Sequence, residues 1–500
     1  MLDSSPVIVG VGEVLDRPAD LQKSREPAVL MADAVRRAEE DAGARMIPHI
    51  DAIDVVKEVS IPYPDLPGRV TNELGLNGRS RAALTDGSGN GPLREMHNAA
   101  IRIQRGEIEV ALLCGAEAQW SVDQARKRDE KLPWAPPEQL PELFRPLPYA
   151  NALALKYGLV TPAQVYPLYE NATTSCWGQT SAAARQESAE IWSRMSRVAA
   201  GNPGAWLPKF HRPDEIARPT SFNRSLAWPY LKLMVAQPSV NLGAAVLMTS
   251  VGKARALGVP AERMIFIRGG AAAREPDDYI LRDRYDANAS QTAVLQSVLD
   301  LMGWTHSEFD CVELYSCFPV VPKMARRLLG LAIDAPLTVA GGLTFFGAPV
   351  HNYMSHAVAA MTRRLRRRGG AYGLLYGQGG FVTKHHGLIL SDVAPEAPIS
   401  ETPSVQAKAD SLRGKTPELV DDYVGPAILE TFTVLHGRDG APLAGVALAK
   451  TPNSARALAT VPASDTAVLE RLESMDRSPI GIAISLESTE DGRIRCVLAN

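Results

Sequence analysis

A glycine-rich loop that leads into a helix is the segment whose residue types point most directly to chemistry. The segment GGLTFFGAPVHNY, residues 341–353, holds two glycines, an apolar run, a Gly-x-Pro turn and then His351. A histidine near the start of a helix could act as a base or bind an anion. It could equally be a polar helix-start residue that faces solvent. The centre of the turn is Ala348, a residue without chemistry.

A second candidate group lies in VELYSCF, at the end of the predicted strand FDCVELYS. Tyr315 and Cys317 could face a site there, although a structural role for the thiol is the alternative. Ser88 lies in DGSGNG, and a Gly-Ser-Gly loop is more typical of a plain turn. His385 and His386 lie between two predicted strands without other ligands nearby in sequence, so we predict no metal site.

The composition is that of an ordinary globular chain. It has 500 residues, 45% hydrophobic and 22% charged, with a net charge of -3. This balance disfavours nucleic acid as a partner. Five scattered cysteines without a CxxC pair favour a reducing cytoplasm over a disulfide framework. No apolar run approaches the ~20 residues of a membrane span, and we interpret the N-terminus as a first strand, not a signal peptide.

Two similar α/β units predict a duplicated layered fold. The first is the strand PVIVGVGEV, a helix with Ser24 as a possible cap and Gly43 after its end, and the strand IDAIDVVKEV. The second is MIFIRGGAAA, an amphipathic helix around Leu295, and FDCVELYS. A glycine-rich loop, a helix and an apolar strand follow each unit, and such repetition is typical of a duplicated α/β architecture.

These patterns divide the chain into four parts. Residues 1–265 form the first half, with an insertion at about 120–235 that is rich in proline and holds six of the seven tryptophans. It could cover a substrate or simply pack against the core. Residues 266–392 form the second half, and the polar segment 393–416 is a predicted linker.

Residues 417–500 predict a small antiparallel barrel that folds separately. Its hairpins should turn at Arg438-Asp439-Gly440 and near Gly492. Its seven Lys or Arg and twelve Asp or Glu residues make it acidic, so a nucleic-acid role is rejected. The predicted core of the barrel consists of Val446, Leu448, Ile482, Ile484, Leu486, Ile494 and Val497.

Four motifs in residues 5–392 resemble those of the thiolase superfamily, most closely its sterol-carrier-protein-type branch. GNGPLREMHNAAIRIQRG resembles the loop and helix after the family's nucleophilic cysteine, and VELYSCF resembles a strand ending in His-Asp-Cys-Phe. GGLTFFGAP resembles the turn GGxxxxGHP, and YGLLYGQGG resembles a strand ending in Cys-x-Gly-Gly. With its extra C-terminal barrel the chain is similar to thiolase-like proteins type 1. The resemblance implies a duplicated five-layer αβαβα fold with an inserted loop domain and a small antiparallel β-barrel.

The catalytic residues of the family do not carry over. Matched position by position, Gly89 stands at the nucleophilic cysteine, Ala348 at the histidine of the turn and Gly377 at the second cysteine. Tyr315 replaces the histidine of the strand motif, while Cys317 matches. Covalent acyl transfer needs a nucleophile and a base within mutual reach, so we predict that the thiolase reaction is absent.

Two functions remain, and the sequence favours the first. The first is a cytoplasmic protein of lipid metabolism that binds acyl-coenzyme A or a related thioester. It would have no covalently bound cofactor and a possible protein partner at the barrel. The second is an active acyltransferase or thioester hydrolase with a site rebuilt around His351, Tyr315 and Cys317. The resemblance implies that basic residues of the insertion could meet the phosphates of coenzyme A: Arg126, Lys127, Arg128, Lys209 and Arg212.

Overall fold

The structure is a computed structural model that describes residues 2–76, 78, 80–134 and 150–499. The first half begins with β1 (Pro6–Leu15), α1 (Pro27–Ala42), β2 (Ala52–Val55), α2 (Leu66–Leu74), β3 (Arg81–Leu84), α3 (Gly91–Gln104) and β4 (Val110–Ala118). The insertion follows with α4 (Gln119–Arg128), α5 (Ala152–Lys156), α6 (Pro162–Cys176), α7 (Ser181–Ala200), α8 (Pro213–Ala217), β5 (Ser225–Ala227) and β6 (Tyr230–Leu231). The first half then ends with β7 (Asn241–Ser250) and α9 (Val251–Ala256).

The second half repeats the plan of the first. Its elements are β8 (Ile265–Arg274), α10 (Ala289–Met302), β9 (Cys311–Leu314), α11 (Val320–Leu328), α12 (Gly342–Phe345), α13 (Tyr353–Leu365), β10 (Tyr372–Gly379) and β11 (Lys384–Ser391). The C-terminal region contains α14 (Gln406–Leu412), β12 (Leu419–Val420), β13 (Gly425–His436), β14 (Pro442–Lys450), β15 (Arg456–Pro462), α15 (Thr466–Leu472), β16 (Ala483–Ser488) and β17 (Ile494–Leu498).

Both halves contribute to one nine-stranded sheet in the order β3-β2-β4-β7-β1-β8-β11-β10-β9. The halves meet where β1 and β8 pair antiparallel at Val7–Phe266 and Ile8–Ile265. Going outward from this seam, β1, β7, β4 and β2 correspond in order to β8, β11, β10 and β9. The predicted duplication is therefore confirmed, with β3 as an additional edge strand of the first half.

Helices fill the space between the two halves and cover their outer faces. α3 contacts β4 and β7 of the first half and β8 and β11 of the second, while α13 contacts β1, β7, β10 and β11. On the outside, α1 packs on β1, β4 and β7, and α10 packs on β8 and β11. The result is the expected αβαβα layering, with α3 and α13 as the central layer.

Close approach between α1 and β1 explains the glycines of the first strand. A Cβ at Gly12 would lie 1.9 Å from the carbonyl oxygen of Ala34, so only glycine lets the helix lie this near. Gly43 ends α1 in the left-handed conformation, with φ 68°. The predicted cap was wrong, because the N-cap position is Glu26 and the Ser24 hydroxyl donates instead to the Leu21 carbonyl at 2.6 Å.

The described part of the insertion is mostly helical, and its tryptophans pack inward. Trp192 is completely buried, and Trp206 and Trp228 are nearly so. Packing therefore explains these three side chains better than contact with a substrate. Most of the proline-rich stretch of the insertion, LPWAPPEQLPELFRPLP, lies outside the described residues.

The segment 393–416, predicted as a linker, is packed against the second half. Its helix α14 contacts α10 and β8. The Ile399 amide donates to Gln104 Oε1 at 2.7 Å, and Ser404 forms a bridge with Ala272. The polar composition of this segment thus reflects a surface position of an ordered chain and not an extended spacer.

The C-terminal strands close into a five-stranded barrel in the order β13-β14-β15-β17-β16, with β16 returning to β13. β15 and β17 pair parallel, and the other four pairs are antiparallel. Both predicted hairpin turns are confirmed. Of the predicted core, Leu448, Ile484, Leu486 and Ile494 are buried. Val497 is only half-buried, because its neighbour Cys496 holds the inward position of β17.

The barrel is joined to the insertion and to the second half by buried polar contacts. Leu435 of β13 pairs with Ala227 of β5, and the Thr431 hydroxyl donates to the Leu168 carbonyl at 2.6 Å. The guanidinium of Arg456, in β15, donates to the carbonyl of Ile280 at 2.7 Å. This interface argues against the separate folding that the sequence suggested, since isolation would leave these groups unpaired.

None of the described helices combines the length and the apolar character needed to cross a bilayer. All five cysteines are free thiols in the described part of the chain.

Candidate functional site

Four segments that lie far apart in sequence meet in front of α3. They are the loop 85–90 before α3, residues 315–318 after β9, the glycine turn 341–351 before α13, and the end of β10. The Tyr315 amide donates to the Tyr376 carbonyl at 3.0 Å, which extends the pairing of β9 with β10 past the end of the strand. The topology therefore brings together the positions that the sequence singled out.

The glycine turn requires its glycines, and the insertion holds it in place. Gly341 and Gly347 have φ values of 124° and 111°, a region that side chains other than glycine rarely adopt. The Trp206 amide donates to the Phe346 carbonyl at 2.7 Å, and Trp192 Nε1 donates to Thr344 Oγ1 at 2.8 Å. The turn is thus a fixed part of the fold.

The centre of the turn is itself anchored. The Ala348 amide donates to the Gln237 carbonyl at 2.9 Å, and its side chain is buried. The Leu343 amide donates to Ser316 Oγ at 3.2 Å, so the residue next to Tyr315 also supports the turn. This backbone geometry does not depend on a reactive side chain at position 348.

Tyr315 occupies the space that a nucleophile at position 89 would need. A Cβ at Gly89 would lie 2.4 Å from Tyr315 Oη and 2.4 Å from the carbonyl oxygen of Gln378. Real Cβ atoms essentially never approach other heavy atoms below 3.0 Å. A cysteine at this position would therefore require Tyr315 and the backbone of β10 to move.

The loop before α3 lies equally close to the end of β10. A Cβ at Gly379 would lie 2.0 Å from Ser88 Oγ, whereas one at Gly377 would lie 3.2 Å from Asn90 Cα. The Ser88 hydroxyl donates to Asn90 Oδ1 at 2.5 Å. Ser88 is therefore engaged within its own turn, as the plain-turn interpretation of this loop expects.

Gln378 is the central polar group of the site, and sequence reasoning missed it. Its Oε1 accepts from Tyr166 Oη at 2.9 Å and from Cys317 Sγ at 3.6 Å. Its Nε2 donates to the Gly379 carbonyl at 2.7 Å. The Tyr166 ring stacks on Phe318 with centroids 4.3 Å apart. The motif GQGG offered a signal for Gln378, but nothing in the sequence linked Tyr166 of the insertion to it.

The Cys317 thiol and the Tyr315 phenol are protonated at neutral pH, and burial favours this state further. Burial raises the pKa of the Cys317 thiol to about 12. Burial also raises the pKa of the Tyr315 phenol, with a further contribution from the neighbouring Cys317. A nucleophilic thiol needs the opposite shift, so neither group is prepared for attack on an acyl carbon.

His351 lies at the edge of the site, against Gly87 of the loop. A Cβ at Gly87 would lie 2.6 Å from His351 Nε2. Burial lowers the pKa of His351 to about 4; the positive charges of Lys57 and Lys384 lower it further, and Asp86 opposes them. The imidazole is therefore neutral at pH 7, a state in which it can accept a proton.

The basic residues chosen from the sequence lie in two different elements. The run from Arg126 to Arg128 ends α4 and is exposed. Lys209 and Arg212 line a cleft of about 310 Å³ beside α8, where Arg212 pairs with Asp214 at 3.1 Å. No observation in the described structure connects either group with Gly89 or Tyr315.

The described residues contain no group of three or more His, Cys, Asp or Glu side chains that could hold a metal ion. His385 and His386, adjacent on β11, point to opposite faces of the sheet. His385 Nδ1 meets Tyr376 Oη at 2.7 Å, and His386 Nε2 meets His97 Nδ1 at 3.0 Å.

Comparison with known proteins agrees with this architecture. Residues 405–491 match the family model of the thiolase-like protein type 1 additional C-terminal domain. A monomeric SCP2-thiolase like protein type 1 from Mycobacterium smegmatis is similar over 99% of both chains, with 28% identity and a TM-score of 0.83. The chain has the fold of a thiolase-like protein type 1. The family model begins inside the predicted linker, so the type 1 addition includes α14.

More distant structures share the thiolase-like fold over a smaller part of this chain. The Ltp2-ChsH2(DUF35) aldolase is similar at 20% identity, with a TM-score of 0.59, over 78% of this chain and 98% of its own. The dimeric peroxisomal thiolase of Saccharomyces cerevisiae is similar at 13% identity, with a TM-score of 0.57, over the same shares. Among curated proteins, none matches the sequence of this chain.

Proposed function

We propose that this thiolase-like chain binds acyl-coenzyme A or a related thioester without running the thiolase reaction. The observation that carries the proposal is the position of Tyr315 Oη, 2.4 Å from where the Cβ of a residue-89 side chain would lie. A thiolase reaction needs a thiolate that holds the acyl group and a base that activates it. With Gly89, Ala348 and Gly377 at the three catalytic positions, both are missing.

The alternative of a rebuilt active site has less physical support. His351 is neutral and could accept a proton. However, neither of the candidate nucleophiles, Cys317 and Tyr315, is prepared for attack. Burial leaves Cys317 protonated, since its pKa is about 12, and its Sγ donates to Gln378. Tyr315 is protonated for the same reason.

We propose the ligand by analogy with the thiolase-like fold, and we infer the metabolic role and the cellular compartment from that ligand. Coenzyme A carries several phosphate charges, which Arg126, Lys127 and Arg128 or Lys209 and Arg212 could meet. An acyl-coenzyme A ligand implies lipid metabolism, and the free cysteines fit a reducing cytoplasm. The Ltp2-ChsH2(DUF35) aldolase is a complex of two proteins, and by analogy the acidic barrel of this chain would receive a protein partner.

Calorimetric titration with acetyl-coenzyme A tests the proposal, with free thiol followed in the same samples. We expect a dissociation constant of about 10–1000 μM, equivalent to roughly 4 to 7 kcal/mol, and no release of thiol. Charge reversal of Lys127 and Arg128 together should weaken binding if that group meets the phosphates. Absence of binding up to millimolar concentrations, or steady thiol release, would overturn the proposal.

A further inference from the structure

A large cleft beside α13 is lined by arginines from three separate segments. It encloses about 890 Å³, within the roughly 300–1,000 Å³ typical of small-molecule sites. We call it the arginine cleft; its basic residues are Arg37 of α1, Arg197 of α7, and Arg363, Arg364 and Arg367 at the end of α13. None of these residues takes part in the site around Tyr315.

One face of α13 forms a wall of the arginine cleft. His356, Ala360, Arg363 and Arg364 line it, at the spacing i, i+4, i+7 and i+8 that places side chains on one helix face, and Arg367 follows in the turn after the helix. Ala360 is small, which leaves room between the histidine and the arginines. In the sequence, these arginines look like an ordinary basic helix end exposed to solvent. Arg37 and Arg197 come close to them only in the folded chain, so the sequence alone does not reveal the cleft.

The carboxylates of the arginine cleft already have basic partners. Glu13 pairs with Arg363 and accepts a hydrogen bond from His356, whose Nδ1 lies 2.7 Å from Glu13 Oε1. Asp310 pairs with Arg368 at 3.3 Å. Neither acidic residue is therefore left to neutralise the remaining arginines.

Four arginines of the cleft have no carboxylate within ion-pair distance in the described part of the chain. Arg364 and Arg367 are exposed and make no side-chain hydrogen bond to a described residue. Arg37 donates to the Glu13 carbonyl at 2.6 Å, and Arg197 lies over the Phe210 ring at 4.6 Å. Several guanidinium groups around one concavity attract anions, and their planar forks match phosphate oxygens.

His356 provides a second, independent observation. Its side chain is only 1% exposed, and its Nε2 is buried without a hydrogen-bond partner among the described residues. The contact of Nδ1 with Glu13 fixes the ring, so Nε2 stays unpaired in a residue that lines the cleft. An unpaired buried polar group carries a free-energy cost, so this wall of the cleft is not fully satisfied by the described residues.

We propose that the arginine cleft binds a small molecule that carries two or more phosphate groups. The positive charge of four arginines without carboxylate partners exceeds the negative charge of one carboxylate or one phosphate group. The concave shape and the net charge of -3 for the whole chain favour a small molecule over nucleic acid. The inference is independent of the proposed thioester function, because its four unneutralised arginines are not among the residues of the site around Tyr315.

Titration with tripolyphosphate tests this proposal on the full-length protein. In a phosphate-free, low-salt buffer we expect a dissociation constant below about 1 mM. The variant Arg364→Glu/Arg367→Glu should weaken binding at least about 10-fold, since each charged hydrogen bond to phosphate is worth about that factor or more. The matched control is Arg438→Glu/Arg477→Glu, which reverses the same amount of charge at exposed positions of the barrel that belong to neither proposed site. Thermal unfolding of each variant checks that it is folded.

The outcomes distinguish where the probe binds, which ligand the cleft accepts and whether the proposed thioester function holds. Loss of affinity in the cleft variant alone supports the proposal. No binding at 5 mM, equal losses in both variants, or loss only in the control would overturn it. Coenzyme A is titrated in parallel: if the cleft variant weakens it too, the cleft accepts the phosphates of the coenzyme. If coenzyme A fails to bind while tripolyphosphate binds, the cleft stands and the thioester proposal falls.

Discussion

The hydroxyl of Tyr315 decides what the centre of this site can accommodate. It fills the space in front of Gly89, while Gln378 ties together Tyr166, Cys317 and the end of β10. Gln378, Tyr166 and Cys317 are buried and hydrogen-bonded, as polar side chains in a folded core usually are. At this scale the centre of the site is part of the packed interior.

Replacing Gly89 with alanine should therefore destabilise the protein. The new Cβ would clash with Tyr315 Oη and with the backbone carbonyl of Gln378, and overpacking of this kind costs about 1–3 kcal/mol. Gly377→Ala is the matched control, because its Cβ would meet its nearest neighbours at 3.2 Å and a small shift relieves it. Urea unfolding measures both variants. A Gly89→Ala variant as stable as the wild type would contradict the packing described for Tyr315.

Among the secondary-structure elements, β11 and α3 are joined by buried histidines. Burial lowers the pKa of His97 and of His385 to about 4, and that of His386 well below its usual value. His385 Nε2 donates to the Val382 carbonyl at 3.2 Å, so Nδ1 accepts from the Tyr376 hydroxyl and the ring is neutral. Protonation would disturb these contacts between β10, β11 and α3.

The free energy of unfolding should fall as the pH drops from about 6.5 towards 4. In that range the unfolded chain binds protons on these histidines and the folded chain does not, so acid favours unfolding. Each histidine contributes a slope of up to about 1.4 kcal/mol per pH unit. His385→Gln should lower the slope by about one such increment. Equal slopes in the wild type and this variant would refute the assignment of His385.

The barrel depends on Arg456 of β15 for its attachment. This side chain is completely buried, pairs with Glu430 at 2.6 Å, and donates to carbonyls of the segment between β8 and α10. Arg456→Ala would leave the largely buried Glu430 carboxylate with only Lys450, whose half-exposed side chain places Nζ 3.8 Å away. Loss of the main partner of a buried charge typically costs up to about 3–5 kcal/mol. Arg493→Ala, which breaks a pair with Asp491 whose side chains are 49% and 57% exposed, should cost far less because water replaces the lost partner. Chemical denaturation compares them, and similar losses in both variants would argue against a docked barrel.

For the whole molecule, the sequence predicted the layers better than the contacts between them. Periodic apolar residues and glycines at the ends of elements were enough to predict the duplicated halves and the turn at Gly492, because these sequence signals are local. They could not show that Tyr315 would reach Gly89, because the two residues lie 226 positions apart and meet only through the sheet order. For the same reason the ordered packing of residues 393–416 and the arginine cleft became visible only in the folded chain.

The central claim, that this chain does not run the thiolase reaction, is tested most directly by steady-state thiolysis of acetoacetyl-coenzyme A. The thiolase resemblance matches Gly89, Ala348 and Gly377 to the catalytic positions, and Tyr315 lies where a side chain at residue 89 would extend, so we predict no detectable turnover. Ordinary enzymes turn over at roughly 1–10³ s⁻¹. An enzyme-dependent rate above about 1 s⁻¹, retained after repeated purification, would contradict the account.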